Sequence, residues 1–372
     1  MPVSDVATTH FDFSLALHKA LAVPGKNSCF SPYSVASTLA LVARAARGET
    51  AEEPAALLTN SPDRLDEAGE LLGAAATLDE PRSGQDTPSL AVSNTLWVWN
   101  ELSIKSDFTD ALAGVPSAAV REASFVKDPE GARAEINADV ARTTRDLIPE
   151  LLSEGTITDD TVASLVNALY LKVGWTDAFR ASDTVDEDFH SPSGVVRTPM
   201  MRATKRLGYA ATAGWQLVDL PAVGGVAATV LLPDRPLAEA EPDLDAATVR
   251  ALLDARREAM VRLRLPRLKL DTGCALKEAL GTLGVSRMFQ DDADFGELTD
   301  DPRLVVSDMV HQAVLRLDED GIEGAAATAA MFGIVSAPAG EPVTVTVDRP
   351  FLLLVRHQAT GALYFLARVV TP

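Results

Sequence analysis

The sequence predicts an α+β fold, with helices packed around β-sheets in one large domain. Three observations lead there. Segments with helical periodicity come first, segments with strand patterning fill the second half, and no stretch of the 372 residues has the composition of an interdomain linker. Length alone would allow two or three domains, but mixed α and β folds also close this many residues around one core.

In chain order, Phe13, Leu17, Ala20 and Leu21 recur at helical spacing and predict an amphipathic first helix. In "FSPYSVASTLALVARAARGET", residues 30–50, Ser31 can cap, Pro32 suits the first helical position, and Gly48 suits the left-handed residue after the helix end. Nearly all of that helix is apolar or small, which places it centrally. Residues 76–89 read as a surface loop, after which "LAVSNTLWVW" has the β-branched and aromatic content of a strand. Another helix is expected near 128–145. "TVASLVNALYLKVGW", residues 161–175, is a continuous apolar run of the kind found in strands covered on both faces.

"WQLVDLPAVGGVAATVLLPD" predicts a hairpin turning at Gly224 and Gly225, and "VTVTVDRPFLLLVRHQATGALYFLARVV" another turning near Thr360 and Gly361. Between them, "VRLRLPRLKL", residues 261–270, alternates apolar with basic residues, as a single strand with one wet face would. "ALKEALGTLGVSRMF" predicts a short helix.

Composition narrows the function. An apolar fraction of 47% with 23% charged residues is that of a globular chain. No run approaches the roughly 18 apolar residues of a membrane span. The formal net charge of −20, with no basic patch to override it, argues against nucleic acid or an anionic membrane as partner. Cys29 and Cys274 are expected to be buried free thiols. The N-terminus has no basic leader, and Asp12, His18 and Lys19 interrupt its apolar residues, so a cytoplasmic location is expected.

Catalytic signatures are missing: there is no G-x-S-x-G elbow, no H-E-x-x-H, no P-loop, no G-x-G-x-x-G and no C-x-x-C. His10, His18, His190, His311 and His357 lack ligand spacing and read as structural, and the acidic clusters "DEDFH" and "QDDADFGE" read as solvated turns. No catalytic residue, metal or cofactor is expected. What does stand out is "GIEGAAATAAMFGIVSAP", residues 321–338, too small in its side chains for ordinary core and too long and apolar for an ordinary loop. Taken alone it would be an Ala-rich linker or a frayed helix.

The chain resembles a serpin, the conformationally trapping class of protease inhibitor, from Phe11 to nearly the last residue. The resemblance is carried by "FSPYSVASTLALVARAARGET", "LVNALYLKVGW", "GVVRTPMM", "LPRLKL", "LGVSRMF", "VHQAVLRLDEDGIEGAAATAA" and "DRPFLLLVRHQATGALYFLARV", in that order. It implies a single serpin domain over 1–372, with helices packed around three β-sheets and an exposed reactive-centre loop at about 319–342 that, once cut, inserts as an extra strand into the central sheet. Small residues are what such an insertion needs, because bulky or charged groups would clash or be desolvated. Strand alternation would put Ile322, Gly324, Ala326 and Thr328 on one face and Glu323, Ala325 and Ala327 on the other, leaving Glu323 in solvent.

Seventeen residues counted from Glu319 end at Val335, so the resemblance places the scissile bond at Val335–Ser336. Val335 suits a protease with a small apolar pocket, of elastase type, and Phe332 or Met331 would suit a chymotrypsin-like one. The bait has no basic residue, so a trypsin-like target is not expected. The target's serine would form an acyl ester, and the inhibitor would need no catalytic residue of its own.

The family's sheet-opening polar cluster falls on Ser31, Ser34, Asn167 and His311. The upper region where the loop inserts falls on Trp175 and on Arg267, which should pair with Glu319, and Gly321 is the flexible hinge. Two departures stand out: Gly324 replaces the usual Ala, and "TTRDLI" stands where Thr-x-Gly-Lys-Ile is usual, which removes a lysine contact. Residues 61–88, basic in heparin-binding relatives, are acidic here, so no polyanion activator is expected. The implied partner is a target serine protease in covalent complex with a monomer, with a liability to loop–sheet polymerisation. The competing readings are a non-inhibitory serpin acting as carrier or partner-binding protein, and a hydrolase, which no motif supports.

Overall fold

The computed structural model describes residues 5–112, 118–301, 303–307, 309–323 and 341–372. Its first part is helical: α1 Asp5–Leu21, a short strand β1 Ser28–Phe30, then α2 Pro32–Ala45, α3 Gly48–Thr59 and α4 Leu65–Ala75. There follow β2 Ser89–Trp99, α5 Ser106–Ala111, β3 Ala118–Ala123, α6 Pro129–Thr143 and β4 Ala163–Gly174. A run of strands comes next: β5 Val185–Ser191, β6 Gly194–Thr212, β7 Trp215–Ala222 and β8 Val226–Pro233. Short helices α7 Leu237–Ala240 and α8 Ala246–Ala255 lead to β9 Arg257–Pro266, β10 Leu268–Ala275, α9 Lys277–Thr282 and β11 Met309–Leu317. The last elements are β12 Gly321–Ile322, β13 Val343–Thr346, β14 Phe351–His357 and β15 Leu363–Val369.

Two sheets result. One runs β1-β15-β14-β8-β7-β6-β9-β13, with β5 paired to β6; the other runs β10-β11-β12-β4-β2-β3, with an additional β11–β4 pairing. The N-terminal end of α2 behaves as expected, Ser31 Oγ accepting from the Ser34 amide at 3.1 Å with Pro32 at the helix start. The helix is buried along almost its whole length. The continuous apolar run in β4 is explained by two cores. Leu165, Leu169, Leu171 and Val173 face the main core, and Val166 and Ala168 face a smaller one that α6 closes with Ile136 and Val140.

Several expectations are corrected. Gly48 is left-handed, at φ 53°, but it opens α3 instead of closing α2, whose end at Ala46 is extended. The helices α3 and α4 had no counterpart in the sequence reading. The segment 261–270 is two strands in two different sheets, broken at Arg267. "DEDFH" lies in β5, where Glu187 pairs with Arg202 and Arg264, so it is not a solvated turn. Cys29 is buried and free as expected, whereas the free Cys274 is only partly buried. The predicted hairpins form, with Gly224, Gly225 and Gly361 all at positive φ. Val343–Thr346, however, leaves the second hairpin to pair with β9.

Among the described residues no helix is long and apolar enough to cross a membrane. No group of three or more His, Cys, Asp or Glu side chains there could hold a metal ion.

Candidate hinge and sheet-opening site

At the end of β11 the chain reverses through Asp318–Asp320 and returns as β12. Gly321 and Ile322 pair antiparallel with Gly174 and Val173 of β4, and Ile322 pairs with Leu317 of β11. This two-residue strand sits between β4 and β11, which pair directly only where Leu165–Asn167 meets Met309–His311. The described part of the loop's root is therefore already inside the sheet.

Hydrogen bonds hold the reversal in place. Trp175 donates from Nε1 to the Asp318 carbonyl at 2.8 Å and from its amide to the Asp320 carbonyl at 2.9 Å, and the Phe179 amide donates to the Glu319 carbonyl at 2.9 Å. The Glu319 carboxylate takes a bidentate contact from Arg267, at 2.8 Å from Nε and 2.7 Å from Nη2, and accepts from the Thr184 hydroxyl. Burial works against the Glu319 carboxylate, but the bonds from Arg267 and Thr184 outweigh it and keep its pKa below the ordinary value. Arg267 can reach because it sits at the break between β9 and β10.

Gly321 is fixed by close approach, not by freedom of its backbone. A Cβ there would come 2.2 Å from the Val173 carbonyl oxygen and 2.8 Å from the Gly174 Cα, so only glycine fits between the strands. This corrects its reading as a flexible hinge. Glu323 also departs from expectation, since it is half-buried and its backbone is left-handed at φ 70°. The Tyr170 hydroxyl donates to its Oε1 at 3.2 Å, while Oε2 is buried without a partner. Burial raises its pKa against the opposing pull of Tyr170, Arg316, Lys172 and Arg145. In "TTRDLI" the chain is left-handed at Arg145 and Asp146, and the Arg145 guanidinium lies 4.8 Å over the Tyr170 ring.

Below the wedge, four expected residues meet where β4 and β11 still pair. His311 is fully buried. Its Nε2 accepts from the Ser31 amide at 2.9 Å, so its Nδ1 carries the proton and donates to Asn167 Oδ1 at 3.1 Å. Asn167 Nδ2 in turn donates to the Ser34 carbonyl and to Thr38 Oγ1, each at 3.0 Å, and to Asn94 Oδ1. Burial lowers the His311 pKa to about 4, which keeps the imidazole neutral, as an accepting nitrogen requires. Ser34 takes part through its backbone, its hydroxyl being buried without a partner.

The sequence reading missed four contributors: Thr38, Asn94, Thr184 and Tyr170. Two of them left a signal. Thr38 lies one helical turn after Ser34, and Asn94 is a lone amide within an apolar strand, directly opposite Asn167 in register. Gly324, Ala325, Ala326, Ala327, Thr328, Met331, Phe332, Val335 and Ser336 lie outside the described residues.

Comparison with known proteins agrees with this architecture. The family described as Serpin (serine protease inhibitor) matches residues 7–372. A serpin-like protein of Thermococcus kodakarensis is 31% identical over 365 residues, 97% of this chain and 84% of its own length. Serpin A3-8 of Bos taurus is 33% identical over 386 residues, 99% of this chain and 88% of its own. Human thyroxine-binding globulin, solved with thyroxine, superposes with a TM-score of 0.84 at 23% identity over 99% of this chain and 98% of that one, a likeness of fold. With the wedge, the buried network and a match over almost its whole length, the chain belongs to the serpin family.

Proposed function

We propose that this serpin inhibits serine proteases of elastase-like or chymotrypsin-like specificity as a suicide substrate. The target's serine attacks the Val335 carbonyl carbon and the bond to Ser336 breaks. The acyl ester then persists while the new end of the loop inserts between β4 and β11. Catalysis belongs to the protease, so this chain has no turnover of its own.

The observation that carries the reading is β12. Two residues of the loop's root already occupy the space between β4 and β11, with Ile322 only 1% exposed. The residues that follow, Gly324 to Thr328, have side chains small enough to continue the strand. Inserting further would separate Leu165–Asn167 from Met309–His311, so the Ser31–His311–Asn167 network is the resistance that insertion must overcome. The energy comes from main-chain hydrogen bonds and buried area gained by the extra strand. The carrier reading shares its fold with thyroxine-binding globulin. A buried apolar Ile322 followed by small residues weighs for insertion against it.

Mixing the protein with an elastase-like and, separately, a chymotrypsin-like protease tests the proposal. A band at the summed mass that survives denaturing electrophoresis, with a new N-terminus at Ser336, is expected. Clean cleavage without a complex overturns trapping and leaves the carrier reading in front.

A further inference from the structure

A cavity of about 470 Å³ lies away from the hinge, a volume within the range of pockets that hold small organic ligands. Its walls come from five parts of the chain: Gly25 between α1 and β1, the end of β5, the segment leading into and opening α7, the residues before β14 and the end of β15. Much of the lining is apolar, with Pro192, Pro236, Leu237, Pro350 and Val370 among its residues.

The walls are fixed before any ligand arrives. The His190 amide donates to the Asp348 carbonyl at 2.7 Å, Ser191 Oγ to the Gly194 carbonyl at 2.9 Å, and the Asp234 amide to the Gly214 carbonyl at 2.9 Å. Arg349 Nη2 donates to the Pro233 carbonyl at 3.0 Å, tying the α7 segment to the start of β14. A pocket whose walls are held this way loses little entropy when it is filled.

Charge sets the chemistry of the occupant. Arg235, Arg349 and Arg368 line the cavity in a chain of net charge −20, against Asp234 as the acid in its wall. Arg235 is held by the exposed Asp243. Arg349 reaches Asp348 only at 3.4 Å.

Arg368 is 4% exposed. It is pinned by Nε to Glu241 at 2.8 Å and by Nη1 to the Val23 and Lys26 carbonyls at 2.9 and 3.1 Å. Its Nη2 makes no hydrogen bond within the described residues, and that nitrogen is not among the fully enclosed unpaired atoms. Arg368 and Arg349 thus both line the cavity, and the Nη2 donors of Arg368 are taken up by no described residue. We propose that this cavity binds a small, mainly apolar acid, its hydrocarbon part against the prolines, Leu237 and Val370 and its carboxylate on Arg368 Nη2 and Arg349. Charge-assisted contacts of this kind are shorter and stronger than neutral hydrogen bonds. The proposal stands independently of protease inhibition.

The test is competition of the apolar anion 8-anilinonaphthalene-1-sulfonate, bound to the full-length protein, by decanoate and by decanol. One fluorescent site is expected, displaced by decanoate at much lower concentration than by decanol. Arg349→Gln should weaken decanoate roughly tenfold more than it weakens decanol, since beyond the wall contact to Pro233 it removes one charge-assisted contact to the acid. Ala238→Trp fills the cavity from an exposed position that makes no core contact, and should abolish the site while circular dichroism stays native. Equal competition by the alcohol shows that no acid is recognised, and binding that survives Ala238→Trp places the dye elsewhere. Either result overturns the proposal, and neither touches the trapping assay.

Discussion

The strands β4 and β11 run through two different regimes along their length. At the lower end they pair directly, and the groups beneath them are neutral: an imidazole, two amides, hydroxyls and backbone. At the upper end they are parted by β12, and the groups that hold the wedge are charged, Glu319 with Arg267 and Glu323 above Tyr170. The contrast teaches how one sheet can be firm and ready to open at once. A buried neutral network is strong because every member depends on the others, whereas an ion pair at the rim is partly screened by solvent. On the proposed mechanism, opening would be set by the lower end, with the upper end positioning the chain at 318–322.

The largest effect should come from breaking the lower end. Asn167→Ala leaves the buried His311 Nδ1 donor without its acceptor and removes a donor from the Ser34 carbonyl, Thr38 Oγ1 and Asn94 Oδ1, and should cost about 3 kcal/mol, read as a lower unfolding midpoint in urea. It should also speed loop–sheet polymerisation on warming. A midpoint unchanged from wild type would mean the network does not hold the sheet shut.

Acid should act on the buried histidines and on Glu323 with opposite sign. His311 and His10 are each lowered to about 4 by burial, so the unfolded chain takes up protons that the folded one refuses. Their contribution is fully present above about pH 6.5 and is lost as the pH falls toward 4, up to about 3 kcal/mol for each. Glu323 works the other way, because its raised pKa stabilises the fold at low pH and that contribution fades as pH rises through the folded value. Urea midpoints between pH 7.5 and 4.5 should fall overall, and Glu323→Gln should make the fall steeper.

Gly321→Ala places a methyl against the Val173 carbonyl and should cost about 2 kcal/mol, the scale of overpacking. Its local readout is faster hydrogen exchange at the Trp175 amide, which bonds the Asp320 carbonyl. Protection equal to wild type would mean that β12 tolerates the methyl.

The smallest effect belongs to Arg267→Ala. Arg267 is 44% exposed at its side chain, so solvent screens much of the pair and about 1 kcal/mol should be lost. The Glu319 pKa should rise, which a carboxylate titration by NMR would detect. A loss as large as that of Asn167→Ala would erase the distinction between the two ends.

Much of this was legible in the residues themselves. The α+β class, the β7–β8 and β14–β15 hairpins, the cap at Ser31 and the Arg267–Glu319 pair follow from local patterns or from the spacing of family motifs. These are matters of short-range stereochemistry, or of residue types held at given distances along the chain. Tertiary structure decided the rest, because it depends on what lies across a strand or beneath a helix. Arg267 ends one strand and precedes another in a different sheet, which alternation alone could not reveal. Gly321 is glycine because Val173 stands 2.2 Å from where its Cβ would be, and Glu323 is half-buried because Tyr170 lies below it. Thr38 and Asn94 join the network only once α2 is laid under β2 and β4. The sequence by itself determined the fold class, the two hairpins and the small residues at 324–328; the helices α3 and α4, the break at Arg267 and what holds β4 to β11 came from packing between residues far apart in the chain.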